Sequence, residues 1–199
     1  GLFDPSENSS WSRFAKMFLL AQNGEFGVMC PVACTDGLIA LMRKFEQSEP
    51  ALGSQARALL ALVRDGEETA EGKRYGRAAQ YLTEIQGGSD VAANLVEAVY
   101  EEAAGPDGLA GVWRLYGKKF FCSATQADVA LVTAKPKGTD TADRVAVFVV
   151  PSYLPGNEGL RNGCTIDRLK PKLGTAELPT AEITFDGAVA YPVGPLGKG

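Results

Sequence analysis

Histidine is missing from all 199 residues. Without an imidazole the chain cannot assemble a Ser-His-Asp or Cys-His nucleophile. The four cysteines, Cys30, Cys34, Cys122 and Cys164, form no C-x-x-C pair, so the ligand spacing of a zinc site is lacking as well. Such thiols are expected to be reduced, mostly buried and cytoplasmic. No uninterrupted run reaches the roughly 18 apolar residues of a membrane span. The opening Gly1-Leu2-Phe3-Asp4-Pro5 has neither the charged-then-apolar order of a secretory signal nor an initiator methionine. The chain is therefore expected to be a piece or a processed form of a longer product. An excess of basic charge is lacking too: the net charge is −4 and the pI about 5.0. That disfavours nucleic acid as the main partner of this segment, because a phosphate backbone demands a basic face. The small cluster Arg168, Lys170, Lys172 reads as a solvated strand edge or a local anion contact. Any catalysis must draw on a cofactor, a carboxylate or another chain.

What is present is ordinary in bulk and patterned in detail. Hydrophobic residues make up 45% and charged residues 22%, a composition that buries a core without disulfide staples. Residues 1–70 read as helical. Ser9 or Ser10 can cap a first helix through Trp11, Phe14, Phe18 and Leu19, which recur at three- and four-residue spacing. Asn23-Gly24 ends it. Cys30-Pro31 predicts a break, and Thr35 or Asp36 a cap for a second helix carrying Leu38, Ile39, Met42 and Phe45. Pro50 separates this from a third helix over 51–63. The apolar stripes are expected to be core packing.

Residues 73–199 change texture. Short β-branched and aromatic segments, punctuated by Gly, Pro, Asn and Asp, predict strands over 78–83, 94–101, 111–123, 129–134, 145–151, 163–169, 179–185 and 188–191. Residues 137–141 and 154–159 read as hairpin tips. The fold class is α+β: N-terminal helices followed by an antiparallel β-barrel or sandwich. No strand alternates with a helix, which argues against a doubly wound dinucleotide-binding sheet.

Three stretches carry chemistry. In Thr83-Glu84-Ile85-Gln86-Gly87-Gly88-Ser89-Asp90 a strand-like run ends in a turn whose glycines let an anion approach the main chain. A plain surface turn capped by Ser89 or Asp90 is the competing reading. In Gly117-Lys118-Lys119-Phe120-Phe121-Cys122-Ser123-Ala124, alternation places Lys119, Phe121 and Ser123 on one face, and Phe120 and Cys122 on the other. An aromatic ring and a hydroxyl two residues apart can stack on a flat ring and hydrogen-bond its edge; a half-buried strand is the competing reading. The third stretch, Arg168 through Glu182, is a basic glycine-containing turn leading into a strand.

Taken in this order, the three stretches resemble the acyl-CoA dehydrogenase family. Residues 83–90 are similar to its T-E-x-x-x-G-S-D signature, 117–124 to a G-x-K-x-W-I-T-N strand, and Lys172-Leu173-Gly174 through Phe185 to a K-x-G-x-x-x-S/P-T-x-x-x-x-F element. Gln86 through Val91, Phe148-Val149-Val150-Pro151 and Arg168 through Gly174 are nearest the flavoproteins of the bacterial adaptive response to DNA alkylation. The resemblance implies part of an N-terminal helical domain over 1–72, an FAD-contacting middle β domain over 73–199, and a C-terminal helical domain outside the chain. It implies that Leu82 and Thr83 meet the flavin pyrimidine edge, that Gly88 and Ser89 contact the pyrophosphate, that Phe121 packs on the isoalloxazine, and that Ser123 bonds near N5. Phe121 stands where the family commonly has tryptophan, and Ser123 where it has threonine. The family's glutamate base lies in the C-terminal domain, so the segment alone is expected to be inactive, and Glu84 is read as structural. The full protein is expected to act on acyl-CoA as a dimer or tetramer, in the cytoplasm. The alternatives are a flavin-containing DNA-protection protein, binding DNA through the same C-terminal region, and a β-sandwich interaction module without a cofactor.

Overall fold

The computed structural model describes residues 2–3, 9–47, 52–105, 108–109, 111–140, 142 and 144–197. The expected break at Pro50, the expected helix start at Ala51, and Thr141 of the 137–141 loop lie outside these. Helix α1, Ser10–Ala21, is capped by the Ser9 hydroxyl, which accepts the Ser12 N–H at 3.1 Å. Its stripe is not core: Trp11, Phe14, Phe18 and Leu19 are exposed, and α1 buries none of its residues.

Helix α2, Phe26–Glu46, corrects two expectations. It runs unbroken through Pro31 despite the missing N–H, a defect of about 3 kcal/mol in a helix interior. Thr35 is no cap either. Its buried hydroxyl donates to the Pro31 carbonyl at 2.6 Å and accepts the Ala78 N–H at 2.9 Å, which pins the helix to the strand that begins at Ala78. Leu38, Ile39 and Met42 follow on the same face, fully buried, at about 1.5–3 kcal/mol each over exposure. That gain offsets the proline. The helix is long and apolar enough to cross a bilayer by length and composition, contrary to the sequence expectation; a helix packed on a core passes the same test. Helix α3, Ser54–Arg64, adds Ala56, Leu60 and Val63 to the same layer.

Two short strands, β1 (Glu67–Thr69) and β2 (Gly72–Arg74), form a hairpin just past the third helix, where no strand was expected. The remaining strands are β3 (Ala78–Tyr81), β4 (Glu97–Glu101), β5 (Val112–Ser123), β6 (Val129–Lys137), β7 (Ala146–Pro151), β8 (Tyr153–Leu154), β9 (Asn157–Arg161), β10 (Cys164–Leu169) and β11 (Thr180–Pro192). The strands expected at 179–185 and 188–191 are one, β11, bent by a register shift between Asp186 and Ala188. Strands β5, β4, β6, β7 and β11 are each hydrogen-bonded to the next, and β11 returns to β5. This ring is the barrel. Strand β10 lies on β11 and β3 on β6.

The helices-then-barrel architecture is the expected one, but the barrel is not wholly antiparallel. Strands β3 and β4 both pair parallel with β6, Tyr81 opposite Val132 and Glu97 opposite Lys135. Residues 82–96 therefore leave the sheet and return to it. Inside the ring pack Trp113, Leu115, Phe148, Ile183 and Phe185. The helices cover its outside through Ala78, Val129, Leu131, Val149 and Val193.

Candidate functional site

The excursion 82–96 and strand β5 lie side by side, joined by the Phe120 N–H donating to the Thr83 carbonyl at 2.9 Å. Within the excursion the Gly87 N–H closes a turn on the Glu84 carbonyl at 3.0 Å. Gly87 sits at φ 131°, closed to side chains. Gly88 is pressed on the site itself: a Cβ there would fall 2.7 Å from the Thr83 hydroxyl. Two of the three predicted cofactor contacts of the turn, Thr83 and Gly88, are thus in direct contact. Ser89 is exposed beside them, and Asp90 makes no side-chain cap for the short helix Val91–Ala93.

Beneath the turn is a buried polar knot. The Lys119 ammonium donates to Glu84 Oε1 at 2.8 Å, Thr133 Oγ1 at 3.0 Å and the Leu82 carbonyl at 3.1 Å. Glu84 in turn accepts the backbone N–H groups of Leu95 at 2.6 Å and Val96 at 3.1 Å. Asn94 donates to the Leu82 carbonyl at 2.8 Å and to Thr133 at 3.1 Å. Burial opposes the Glu84 charge, but the Lys119 bond and the two N–H groups outweigh it and hold the carboxyl below the usual range. Burial pulls the Lys119 ammonium below its ordinary value, with Glu84 resisting. Glu84 is the structural carboxylate expected of it. The Leu82 carbonyl has both lone pairs engaged, so any contact Leu82 makes with a ligand comes from its N–H or its side chain.

The expected faces of β5 need correcting. On β11, Ala181 pairs with Cys122 but Ile183 with Lys119, so Glu182 alone opposes both Phe120 and Phe121. This β-bulge shifts the alternation by one residue. Lys119 and Cys122 both point into the barrel, fully buried, while Phe121 faces out with 46% of its surface exposed. Ser123 is half-buried on the outward side. The pairing of Phe121 with Ser123 survives; the placement of Lys119 with them does not.

Ser123 Oγ lies 2.9 Å from Thr180 Oγ1. The Lys172 ammonium donates to that same Thr180 oxygen at 2.9 Å, to the Leu178 carbonyl at 2.6 Å and to Thr175 Oγ1 at 3.2 Å. Lys170 stands over the Phe120 ring, 3.1 Å from its centroid, and 5.6 Å from that of Phe121. It also pairs with Glu182 at 2.6 Å. Hydrogen bonds from Arg168 first, then Lys170, pull the Glu182 carboxyl down to about 2. Arg168 and Lys170 thus share one carboxylate, Glu182, along a strand edge. The cysteines are less buried than expected, only Cys122 fully. Burial pushes Cys34 and Cys122 up to about 12, which leaves them as thiols.

Sequence reasoning missed Lys172 and Thr180 as neighbours of Ser123, and Asn94 and Thr133 in the knot. Lys119 follows Trp113 and Leu115 into the barrel by ordinary alternation, and the bulge beyond it is what turns Phe121 and Ser123 to the other face. A cleft of about 310 Å³ opens against Ile85, Gln86, Leu95 and Lys118 beside the turn. A more apolar one of about 450 Å³ lies between α2 and the start of β3, reaching from Val28, Pro31 and Val32 to Gln126.

Comparison with known proteins gives one consistent answer. Residues 79–188 match the family described as acyl-CoA dehydrogenase, middle domain. The chain is 33% identical over 190 residues to acyl-CoA dehydrogenase family member 11 of Caenorhabditis elegans, covering 93% of this chain and 28% of that protein. It is 33% identical over 187 residues to AidB of Escherichia coli strain K12, covering 93% of this chain and 31% of that protein. The crystal structure of Caenorhabditis elegans ACDH-11 in complex with C11-CoA superposes with a TM-score of 0.72 at 30% identity, over 94% of this chain and 30% of that one. The chain spans less than a third of the length of these relatives.

Proposed function

The chain belongs to the acyl-CoA dehydrogenase family, and from that premise we propose that it supplies one wall of an FAD site in an enzyme that oxidises acyl-CoA thioesters at the α,β bond. The observation that carries this reading is the outward face of β5. There an exposed aromatic ring, Phe121, and a held hydroxyl, Ser123, stand next to a glycine turn tied to the same strand through Phe120 and Thr83.

The residues fit such a group. A flavin needs a flat apolar wall, edge donors and an N–H cluster for its phosphates. Phe121 offers the wall, Thr83 and Ser123 the edge hydroxyls, and Gly88 and Ser89 the main chain toward a pyrophosphate; Leu82 would contribute its N–H or side chain. A side chain at Gly88 would strike the Thr83 hydroxyl, so the glycine lets the turn pack directly on Thr83. When bound, the flavin supplies the hydride acceptor. The chain's own residues bind it, orient it and shield one side of it. The apolar cleft between α2 and β3 offers room for an acyl tail.

In this reading 1–72 is the edge of a helical domain and 73–199 the middle domain. The base that removes the α proton, the rest of the acyl-CoA site and the oligomer contacts come from the remainder of a longer protein. The test is to add FAD to the chain and to its Phe121→Ala and Ser89→Ala variants, following flavin fluorescence, and to titrate the full-length parent with acyl-CoA while watching the flavin absorbance. A parent that is colourless and unresponsive to acyl-CoA defeats the proposal. The likeness to AidB favours a second reading, a flavoprotein that protects DNA with weak dehydrogenase activity. Its mark is salt-dependent duplex binding by the full-length parent, through residues other than this acidic segment.

A further inference from the structure

Ser123 is a proposed cofactor contact whose hydroxyl is held by another side chain, and the arrangement behind it has a direction. Lysine ammonium has three protons and no acceptor. All three Lys172 protons have takers: the Leu178 carbonyl, Thr175 Oγ1 and Thr180 Oγ1. Thr180 Oγ1 is thus an acceptor toward Lys172, and its own proton must go elsewhere. Two acceptors are within reach, Ser123 Oγ at 2.9 Å and the Leu178 carbonyl at 3.4 Å, and Ser123 is the nearer by a margin that separates a strong bond from a marginal one. The Thr180 proton belongs on Ser123. Ser123 Oγ accepts it and has its own proton left to give, on the outward side beside Phe121.

Thr180 is buried, where successive hydrogen bonds polarise one another. Among the described residues no carboxylate is within ion-pair distance of Lys172, in contrast to Lys170, which pairs with Glu182. The positive charge at the start of the chain is therefore not cancelled where it arises.

We propose that Lys172, acting through Thr180, sets Ser123 as an outward hydrogen-bond donor and strengthens it toward a ring atom that gains electron density. Lys172 and Thr180 are positioning residues, and the ligand class is a flat, electron-accepting heterocycle with a hydrogen-bond acceptor on its edge. The proposal rests on the flavin reading above for the identity of that ring, and on the three bonded residues for the relay itself.

The two parts separate in one set of measurements. In the cofactor-free chain labelled with nitrogen-15 lysine, the Lys172 ammonium resonance is expected to be visible and slow to exchange. It should move in Thr180→Val and in Ser123→Ala and stay near the wild-type position in Thr180→Ser. A Lys172 resonance that ignores Ser123→Ala overturns the relay, whatever the chain binds. With FAD added, Lys172→Met should weaken binding of the reduced cofactor relative to the oxidised one by about tenfold, the worth of one charge-assisted bond. Lys172→Met combined with Thr180→Val should do no more than either alone, because they act in series. Unchanged relative binding in Lys172→Met, with the cofactor retained, overturns the link to the ring even if the relay is seen. A wild-type chain and parent that take no FAD overturn the flavin reading and the ligand named here, and leave the relay judged by the ammonium resonance.

Discussion

Two lysines of this chain are held alike and do different things. Lys119 and Lys172 each give their three protons to three oxygens, a hydroxyl and a backbone carbonyl among them in both cases. For Lys119 the third oxygen is a carboxylate, Glu84, and the ammonium is fully buried inside the barrel. For Lys172 the third is another hydroxyl, and the ammonium is half-buried near the outer face of β5. A cancelled charge in a low dielectric holds the structure that surrounds it. An uncancelled one near a surface still has a field to offer whatever arrives. The sequence gives both residues the same flanking signals, glycine and aromatic or apolar neighbours, and only the contacts tell them apart.

That contrast can be broken experimentally. The largest effect is expected at Lys119. Lys119→Met leaves Glu84 buried and unpaired, and should cost about 3–5 kcal/mol in chemical denaturation. The double variant with Glu84→Gln should cost less than the sum, and strict additivity would remove the pair from the account. The same pair has a pH signature. Glu84 is held below the ordinary glutamate value of about 4.3, so its stabilisation is present above that value. It is lost as pH falls through the depressed folded one, because the unfolded chain takes up the proton first. An acid unfolding curve should therefore flatten in Glu84→Gln, and an unaltered acid limb would count against the assignment. Next is Gly88→Val, which forces a methyl-bearing carbon onto the Thr83 hydroxyl and should destabilise by about 1–3 kcal/mol, with FAD uptake falling further than stability. Thr35→Val, which leaves the buried Ala78 N–H without its acceptor, should cost about 1–3 kcal/mol and loosen α2 from the barrel in hydrogen exchange. Lys172→Met sharpens the comparison from the other side. Its stability cost should be smallest, about 1 kcal/mol, with the effect appearing in cofactor binding.

How much of this was legible depends on the range of the interaction. The helix-to-strand switch, the Ser9 cap and most strand positions follow from local periodicity and were readable. So was the motif resemblance that named the family. Pro31 misled because local propensity predicts a broken helix, whereas the Thr35 hydroxyl and the buried Leu38, Ile39 and Met42 hold it continuous. The parallel pairing of β3 and β4 with β6 was invisible, because it is set by where the chain returns after residues 82–96 and not by any residue pattern in the strands. At the site, Thr83, Gly88, Phe121 and Ser123 were named from the sequence; their supports, Asn94, Thr133, Lys172 and Thr180, come from distant segments and carry no local signal.

The bulge opposite Glu182 has one more consequence. Two residues of β5 occupy the space of one. Identity at Phe120 or Phe121 can vary among flat apolar side chains and still leave a wall. With one of the two removed, Lys119, a single phenylalanine, Cys122 and Ser123 would alternate regularly against Ile183, Glu182, Ala181 and Thr180, leaving Cys122 inward and Ser123 outward at the loss of one ring. The bulge therefore adds a second ring beside Lys170 without turning Ser123 from the outward face.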